Sequence, residues 1–284
     1  MPKFGAHMSI AGGVDKAFDQ AVETGCEAIQ IFTKNNNQWK ARELKEKEIE
    51  RFHQRREETG IQPVVTHASY LINLGSPKDD LWEKSINALT IELERCEVLG
   101  IPHLVLHPGA HMGEGEEAGI ARVSAALDRA HQALPDHKVK VALELTAGQG
   151  SALGRTFEEL AAIRSSCRQP ERLVVCFDTC HALAAGYDFR SESGYQDMMA
   201  QFEQVIGLDK LAVMHINDSK TDLASHVDRH THIGEGYIGL EPFGFFINDS
   251  RLEALPFLLE TPQEVKIESD KENLAKLRGL VGGG

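Results

Sequence analysis

Eight short apolar segments of strand length start at residues 3, 28, 63, 103, 140, 173, 211 and 256, a recurrence of 25–45 residues. They read KFGAHMS (3–9), AIQIFT (28–33), PVVTHAS (63–69), HLVLHPG (103–109), KVALELT (140–146), LVVCFDTCH (173–181), LAVMHIND (211–218) and PFLLET (256–261). Polar stretches with helical periodicity separate them, among them 43–59, 81–100, 118–134, 157–167 and 192–207. Gly100 and Gly207 stand where helix stops belong. A strand–helix rhythm of this kind gives a parallel sheet with right-handed crossovers. Eight strands close most naturally into an α/β fold of the (β/α)8, or TIM-barrel, type. An open, doubly wound sheet is the alternative.

The endings of these segments narrow the chemistry. Six of them deliver His67, His107, Glu144, Asp178 with His181, His215 and Glu260, and the loop after the seventh adds Asp228 and His230. A barrel presents its catalytic residues in this way, at the C-terminal ends of its strands. One such ending is chance, but six sharing imidazole and carboxylate chemistry predict a multi-metal centre. Imidazole with carboxylate suits zinc or manganese. Asp228 and His230 are two apart, so in extended chain they point the same way. Asp178 and His181 are three apart across a strand end, so the Asp can serve one metal while the His reaches another.

Composition bounds the rest. With 284 residues and 42% hydrophobic content, residues 1–284 are expected to form one barrel domain, its core from about 3 to 280, with GLVGGG (279–284) as a frayed tail. No segment approaches the roughly 20 apolar residues of a membrane span. MPKFGAHMS enters a strand at once, so no signal peptide and a cytoplasmic location are expected. Five cysteines (26, 96, 167, 176, 180), odd in number and without CxxC pairing, fit reduced thiols. Cys176 and Cys180 flank Asp178 and are expected in the core or behind the ligands. The net charge of −13 at first opposes a nucleic-acid partner. Three divalent ions would bring six positive charges against the carboxylates of Glu144, Asp178, Asp228 and Glu260, so a local phosphate site stays open. GQGS (148–151) and GEG (234–236) lack phosphate-loop spacing and read as tight turns.

The strings GAHMSIAGG (5–13), FTKNNNQW (32–39), THASYLINLGSP (66–77), LHPGAH (106–111), LELTAGQGS (143–151), FDTCHALAAGYD (177–188), HINDSK (215–220), VDRHTHIGEGYIG (227–239) and LLETP (258–262) closely resemble the endonuclease IV family of apurinic/apyrimidinic (AP) DNA repair nucleases. The likeness runs from about residue 4 to 262, and VDRHTHIGEG and FDTCHALAAGYD are its most specific parts. It implies three zinc ions per chain. His67 and His107 would bind the first, with Glu144 bridging to the second. Asp178, His215 and Glu260 would complete the second, and His181, Asp228 and His230 would hold the third. Manganese remains open at some sites.

The resemblance also implies a substrate: double-stranded DNA carrying abasic sites or blocked 3′ ends, cleaved 5′ to the lesion by a protein expected to be monomeric. Asn37 and Gln38 in the second βα loop, and Tyr70 and Leu71 in the third, would enter the minor groove and fill the gap of the missing base. Some family members carry Arg where this chain has Asn37, so here that contact is a neutral hydrogen bond. His7 and His111 are candidates for supporting the ligands or meeting phosphate. His226 and His232 are set aside on the family pattern alone. A one-metal sugar isomerase or epimerase needs only Glu144, Asp178, His215 and Glu260, so His67, His107, His181, Asp228 and His230 separate the two readings. A catalytically silent binder of damaged DNA would lack a ligand, and none is missing.

Overall fold

The structure, a computed structural model, describes residues 1–262 and 267–282. Its elements are β1 (Lys3–Met8), α1 (Lys16–Thr24), β2 (Ala28–Ile31), α2 (Glu46–Thr59), β3 (Val64–His67), α3 (Asp79–Val98), β4 (His103–Leu106), α4 (Glu116–Ala133), β5 (Lys140–Glu144) and α5 (Phe157–Ser166). Then follow β6 (Leu173–Asp178), α6 (Thr179–Ala185), α7 (Glu192–Val205), β7 (Leu211–His215), β8 (Asp218–Ser219), β9 (His230–Thr231), α8 (Phe243–Ile247), β10 (Pro256–Leu259) and α9 (Ile267–Arg278). Eight parallel strands close in the order β1-β10-β7-β6-β5-β4-β3-β2, which excludes the open sheet. β8 and β9 form a separate antiparallel pair inside the long loop after β7.

Local chemistry sets the helix ends. Thr156 and Ser191 accept the Glu159 and Gly194 amides at 3.1 Å, starting α5 and α7. Gly100 (φ 62°) and Gly207 (φ 93°) stand just past the ends of α3 and α7, both at the positive φ that glycine allows.

Two apolar layers build the core. The larger lies between strands and helices and includes Phe18, Phe52, Leu89, Leu127, Phe202 and Leu274. The smaller fills the barrel with Ala28, Val65, Val105, Ala142, Val174, Cys176, Val213 and Leu258, drawn from seven strands. The eighth, β1, contributes Gly5, in register with Ala28 and Leu258. A Cβ there would meet the Ala28 carbonyl oxygen at 1.7 Å, so only glycine lets β1 approach. Two residues further along, the same strand face reaches the C-terminal rim. That step places His7, Gln30, His67, His107, Glu144, Asp178, His215 and Glu260 in one ring. The interior alternation therefore aims one polar side chain from each of eight strands at the mouth.

Leu280 and Val281 pack against the core, and the Gly282 amide donates to Asn248 Oδ1 at 2.8 Å. The tail expected to fray from 279 is thus held as far as 282, and residues 283–284 lie outside the described residues. Among the described residues no helix is long and apolar enough to cross a membrane.

α4 carries a titratable liability. His131 is 1% exposed, and among the described residues neither ring nitrogen has a hydrogen-bond partner. Burial, followed by the nearby Arg172 guanidinium, depresses its pKa to about 4. In the unfolded chain the group returns to about 6.5, so between these values the unfolded state binds more protons. Its contribution to stability is therefore intact above about pH 6.5 and is lost as pH falls toward 4. His131→Leu should raise the melting temperature relative to the parent more at pH 5 than at pH 8. Equal shifts at both pH values would contradict this account.

Candidate metal centre

Four of the donors end their strands: His67, Glu144, Asp178 and His215 are the last residues of β3, β5, β6 and β7. His107 and Glu260 follow β4 and β10 by one residue. Glu144 is fully buried and lies at the centre. Its Oε2 is 3.1 Å from Nε2 of both His67 and His107. Its Oε1 is 3.1 Å from His215 Nδ1 and 3.2 Å from His181 Nδ1. Burial alone would raise this carboxyl. The imidazoles of His107 and His215, with hydrogen bonds from His107 and His181, outweigh burial and hold it well below the usual carboxylate range.

The donor atoms fall into overlapping groups, each within 4.8 Å: His67–His107–Glu144, Glu144–Asp178–His215–Glu260 and Asp178–His181–His230. Asp228 joins the last, with Oδ1 3.2 Å from His181 Nε2 and 3.5 Å from His230 Nε2. All nine ligands expected from the sequence are thereby brought together. Glu144 is shared between the first two groups and Asp178 between the last two.

The arrangement suits divalent ions on two counts. First, His181 Nε2 and His230 Nε2 are buried facing the Asp228 carboxylate at 3.2 and 3.5 Å, an expensive condition for two lone pairs unless they serve a cation. Second, the opposite ring nitrogens are already committed. Nδ1 of His67, His181 and His230 donates to the carbonyls of Ala68 (2.7 Å), Leu145 (2.9 Å) and Glu260 (3.1 Å). Each bond turns Nε2 toward the cluster as a lone pair, the tautomer a metal requires. His215 is reversed: Nε2 meets Gln30 Oε1 at 2.8 Å, leaving Nδ1 for Glu144.

Gln30 is a residue the sequence reading passed over. It is fully buried, and its Nε2 donates to Glu260 Oε1 at 2.6 Å and meets His7 Nδ1 at 3.1 Å. One amide thus orients two candidate ligands, and His7 meets the same amide. The signal was available, because Gln30 lies two residues beyond the interior Ala28 just as His67 follows Val65. Asn217 does similar work, donating to Asp178 Oδ2 and accepting the Glu260 amide, both at 2.7 Å.

The loop after β7 is folded around a buried carboxylate. Asp218 accepts the amides of Gly234, Gly236 and Ile238 at 2.9–3.0 Å. Gly236 leaves no room for a side chain, since a Cβ would lie 2.3 Å from the Ser219 carbonyl oxygen. β9 then pairs Ser219 with His230, which places Asp228 and His230 over the barrel mouth. Asp228 lies ten positions beyond Asp218, so no short-range periodicity reveals this support.

Other expected residues sort differently. Tyr70 is 62% exposed and stands edge-on to Phe32, its ring centre 5.6 Å from that of His67. Asn37 and Gln38 are exposed and Leu71 is partly exposed. Tyr70 lines a cavity of about 360 Å³ with His67, His107, His181, Asp228, Arg229, His230, Glu260 and Pro262. Arg229, exposed between two ligands, is a cation the sequence reading also passed over. His111 Nδ1 accepts the Gly113 and Gly115 amides at 3.3 and 3.0 Å, which closes its own loop. His226 meets the Ala147 carbonyl and His232 meets Asn273, and neither joins a donor group. Cys176 lies near Glu144 and His215, but burial pushes its thiol up to about 12 and keeps it protonated. Cys180 is held likewise.

A family model described as a xylose isomerase-like TIM barrel matches residues 18–279. A protein of Chloroflexus aurantiacus named probable endonuclease 4 is 50% identical over 283 residues, covering 100% of this chain and 99% of the relative. A protein of the same name from Geobacter sulfurreducens is 49% identical over 277 residues, covering 98% and 94%. The crystal structure of endonuclease IV from Thermus thermophilus superposes with a TM-score of 0.88 at 38% identity, covering 100% of both chains. A D-tagatose 3-epimerase-like protein superposes at 0.74 with 19% identity and 99% and 98% coverage, a likeness of fold alone.

Fold and site together define a (β/α)8-barrel enzyme whose mouth carries several residue groups able to hold a metal ion. Within that class the chain belongs to the endonuclease IV family of apurinic/apyrimidinic DNA repair endonucleases.

Gln30→Leu keeps the volume of the site but frees His215 and Glu260. It is expected to weaken metal retention against a chelator by roughly 10–100-fold, with an unchanged far-ultraviolet spectrum. Retention equal to the parent would remove Gln30 from the site.

Proposed function

We propose that the protein is a zinc-dependent endonuclease of base excision repair. It hydrolyses the phosphodiester 5′ to an abasic site in duplex DNA, leaves a 3′-hydroxyl and removes 3′-blocking groups. One observation carries this reading: nine imidazole and carboxylate donors overlap through Glu144 and Asp178 at the barrel mouth. A single-metal isomerase has use for four of them, and it has no use for His67, His107, His181, Asp228 and His230.

His67, His107 and Glu144 would hold one zinc, Glu144 with Asp178, His215 and Glu260 a second, and His181, Asp228 and His230 a third. When bound, such ions supply Lewis acidity toward a phosphate and lower the pKa of water toward neutrality. The residues of the chain do the rest. Glu144, held ionised, spans two groups and fixes their spacing. The carbonyls of Ala68, Leu145 and Glu260 keep three imidazoles in one tautomer, so no reorganisation is needed at the moment of reaction. Arg229 borders the cavity and is placed to pair with a backbone phosphate oxygen.

Tyr70 links recognition to chemistry, because its ring contacts His67 while its exposed edge is free to meet DNA. With Leu71, Asn37 and Gln38 it would fill the gap left by the absent base, where unstacking costs least. The phosphate beside that gap then falls over the donor cluster. We assign the protein to the cytoplasm as a monomer acting on DNA.

Nicking of a duplex with one abasic site tests the reading. Zinc-loaded protein should cut 5′ to the lesion and leave ends that a polymerase extends. Strong chelation should abolish cutting and zinc should restore it. Glu144→Ala should reduce the rate by at least about a thousandfold, the scale of several kcal/mol of lost transition-state stabilisation, while binding persists. Undiminished cutting by metal-free protein, or ketose–aldose conversion with one ion per chain, would sink the proposal.

A further inference from the structure

The two loops that carry Asn37, Gln38, Tyr70 and Leu71 share an anchor behind the mouth, on α3. Glu92 and Arg95 lie three residues apart on one face of that helix, 1% and 8% exposed. Arg95 donates through Nε to the Thr33 carbonyl at 3.2 Å and through a terminal nitrogen to the Arg42 carbonyl at 2.7 Å. It therefore grips both ends of the first loop. Lys34, 6% exposed, reaches Glu92 at 3.3 Å and donates to the carbonyls of Gln38 (2.7 Å) and Asn35 (3.3 Å). Both oxygens of Glu92 also lie 3.3 Å from the Ser69 amide, at the start of the second loop. Ser69 closes the circuit, donating its hydroxyl to the Asn36 carbonyl and accepting the Leu71 amide.

One buried carboxylate thus ties both loops at the backbone. A purely structural contact between α3 and the wall would be served as well by apolar side chains, since a buried ion pair seldom adds net stability over a hydrophobic isostere. Charged groups directed at loop carbonyls and amides do something apolar ones cannot, which is to fix loop conformation. A preformed wedge meets DNA without ordering its loops on binding, and that raises affinity without touching the reacting atoms.

We propose that Glu92, with Lys34 and Arg95, is a positioning residue that locks the 33–42 and 69–71 loops into one preformed wedge, setting preference for damaged over intact duplex. The proposal rests on the DNA-contacting role given above to Asn37, Gln38, Tyr70 and Leu71. Glu92→Gln and the charge-free pair Lys34→Met/Glu92→Leu test it, using zinc-loaded protein and abasic or intact duplex. Glu92→Gln should raise KM for abasic DNA about tenfold, and lower the ratio of abasic to intact affinity similarly, with kcat within about twofold and zinc content unchanged. The double variant should match the parent in melting temperature yet keep the KM defect. It carries the test should the single variant fail to fold.

Parental KM and affinity ratio in either folded variant would overturn the proposal. So would a KM defect that vanishes in the double variant, which would leave Glu92 a merely structural role. Amide exchange in 34–41 and 69–72, faster in Glu92→Gln, tests the clamp without DNA, and unchanged exchange contradicts it. Failure of the parent itself to nick abasic DNA would instead fall on the functional reading.

Discussion

Four imidazole nitrogens lie within 3.1–3.2 Å of the two oxygens of Glu144, a carboxylate with no exposure to water. An isolated ionised carboxylate in such a place costs many kcal/mol, so the mouth of this barrel demands positive charge around it. The other features follow from that demand. His67, His107, His181 and His215 converge on one acid, and three further carboxylates, Asp178, Asp228 and Glu260, share the space in groups that could hold cations. Backbone carbonyls and Gln30 settle which nitrogen each imidazole turns inward. The barrel makes this possible because its parallel strands end together, so side chains distant in sequence meet at one rim.

The barrel and its strand-end donors were legible in the chain because both rest on short-range periodicity. Strand segments spaced by amphipathic helices leave few topologies, and a ligand two residues beyond an interior Val or Ala inherits its direction. Where one side chain depends on distant partners, legibility ended. Gln30 reads as one polar residue in an apolar strand, and its bonds to His215 and Glu260 span 185 and 230 residues. Asp218 shapes the loop that brings in Asp228, yet it acts through amides of residues 234–238. His111 shows the converse: it stands near a strand end, yet the glycine amides that occupy its Nδ1 belong to its own loop. Composition at the C-terminus likewise does not reveal that Asn248 accepts the Gly282 amide.

The comparisons divide along the same line. Sugar epimerase-like proteins share this fold at 19% identity or less, whereas proteins named endonuclease 4 share half of the residues over the whole chain. A fold is a scaffold on which unrelated chemistries are built, so the distinguishing information lies in the site. Here that information is concentrated in His67, His107, His181, Asp228 and His230. The last two depend on the β8–β9 pair, a small structure outside the barrel that positions two of the nine donors.

The central claim is that the mouth of the barrel holds three ions in overlapping groups. Zinc counted per chain, together with anomalous diffraction from crystals of the zinc-loaded protein, tests it most directly. The account predicts three ions and three anomalous peaks: one beside His67 and His107, one among Asp178, His215 and Glu260, and one among His181, Asp228 and His230. A single ion held by Glu144, Asp178, His215 and Glu260, with no peak at Asp228, would contradict it.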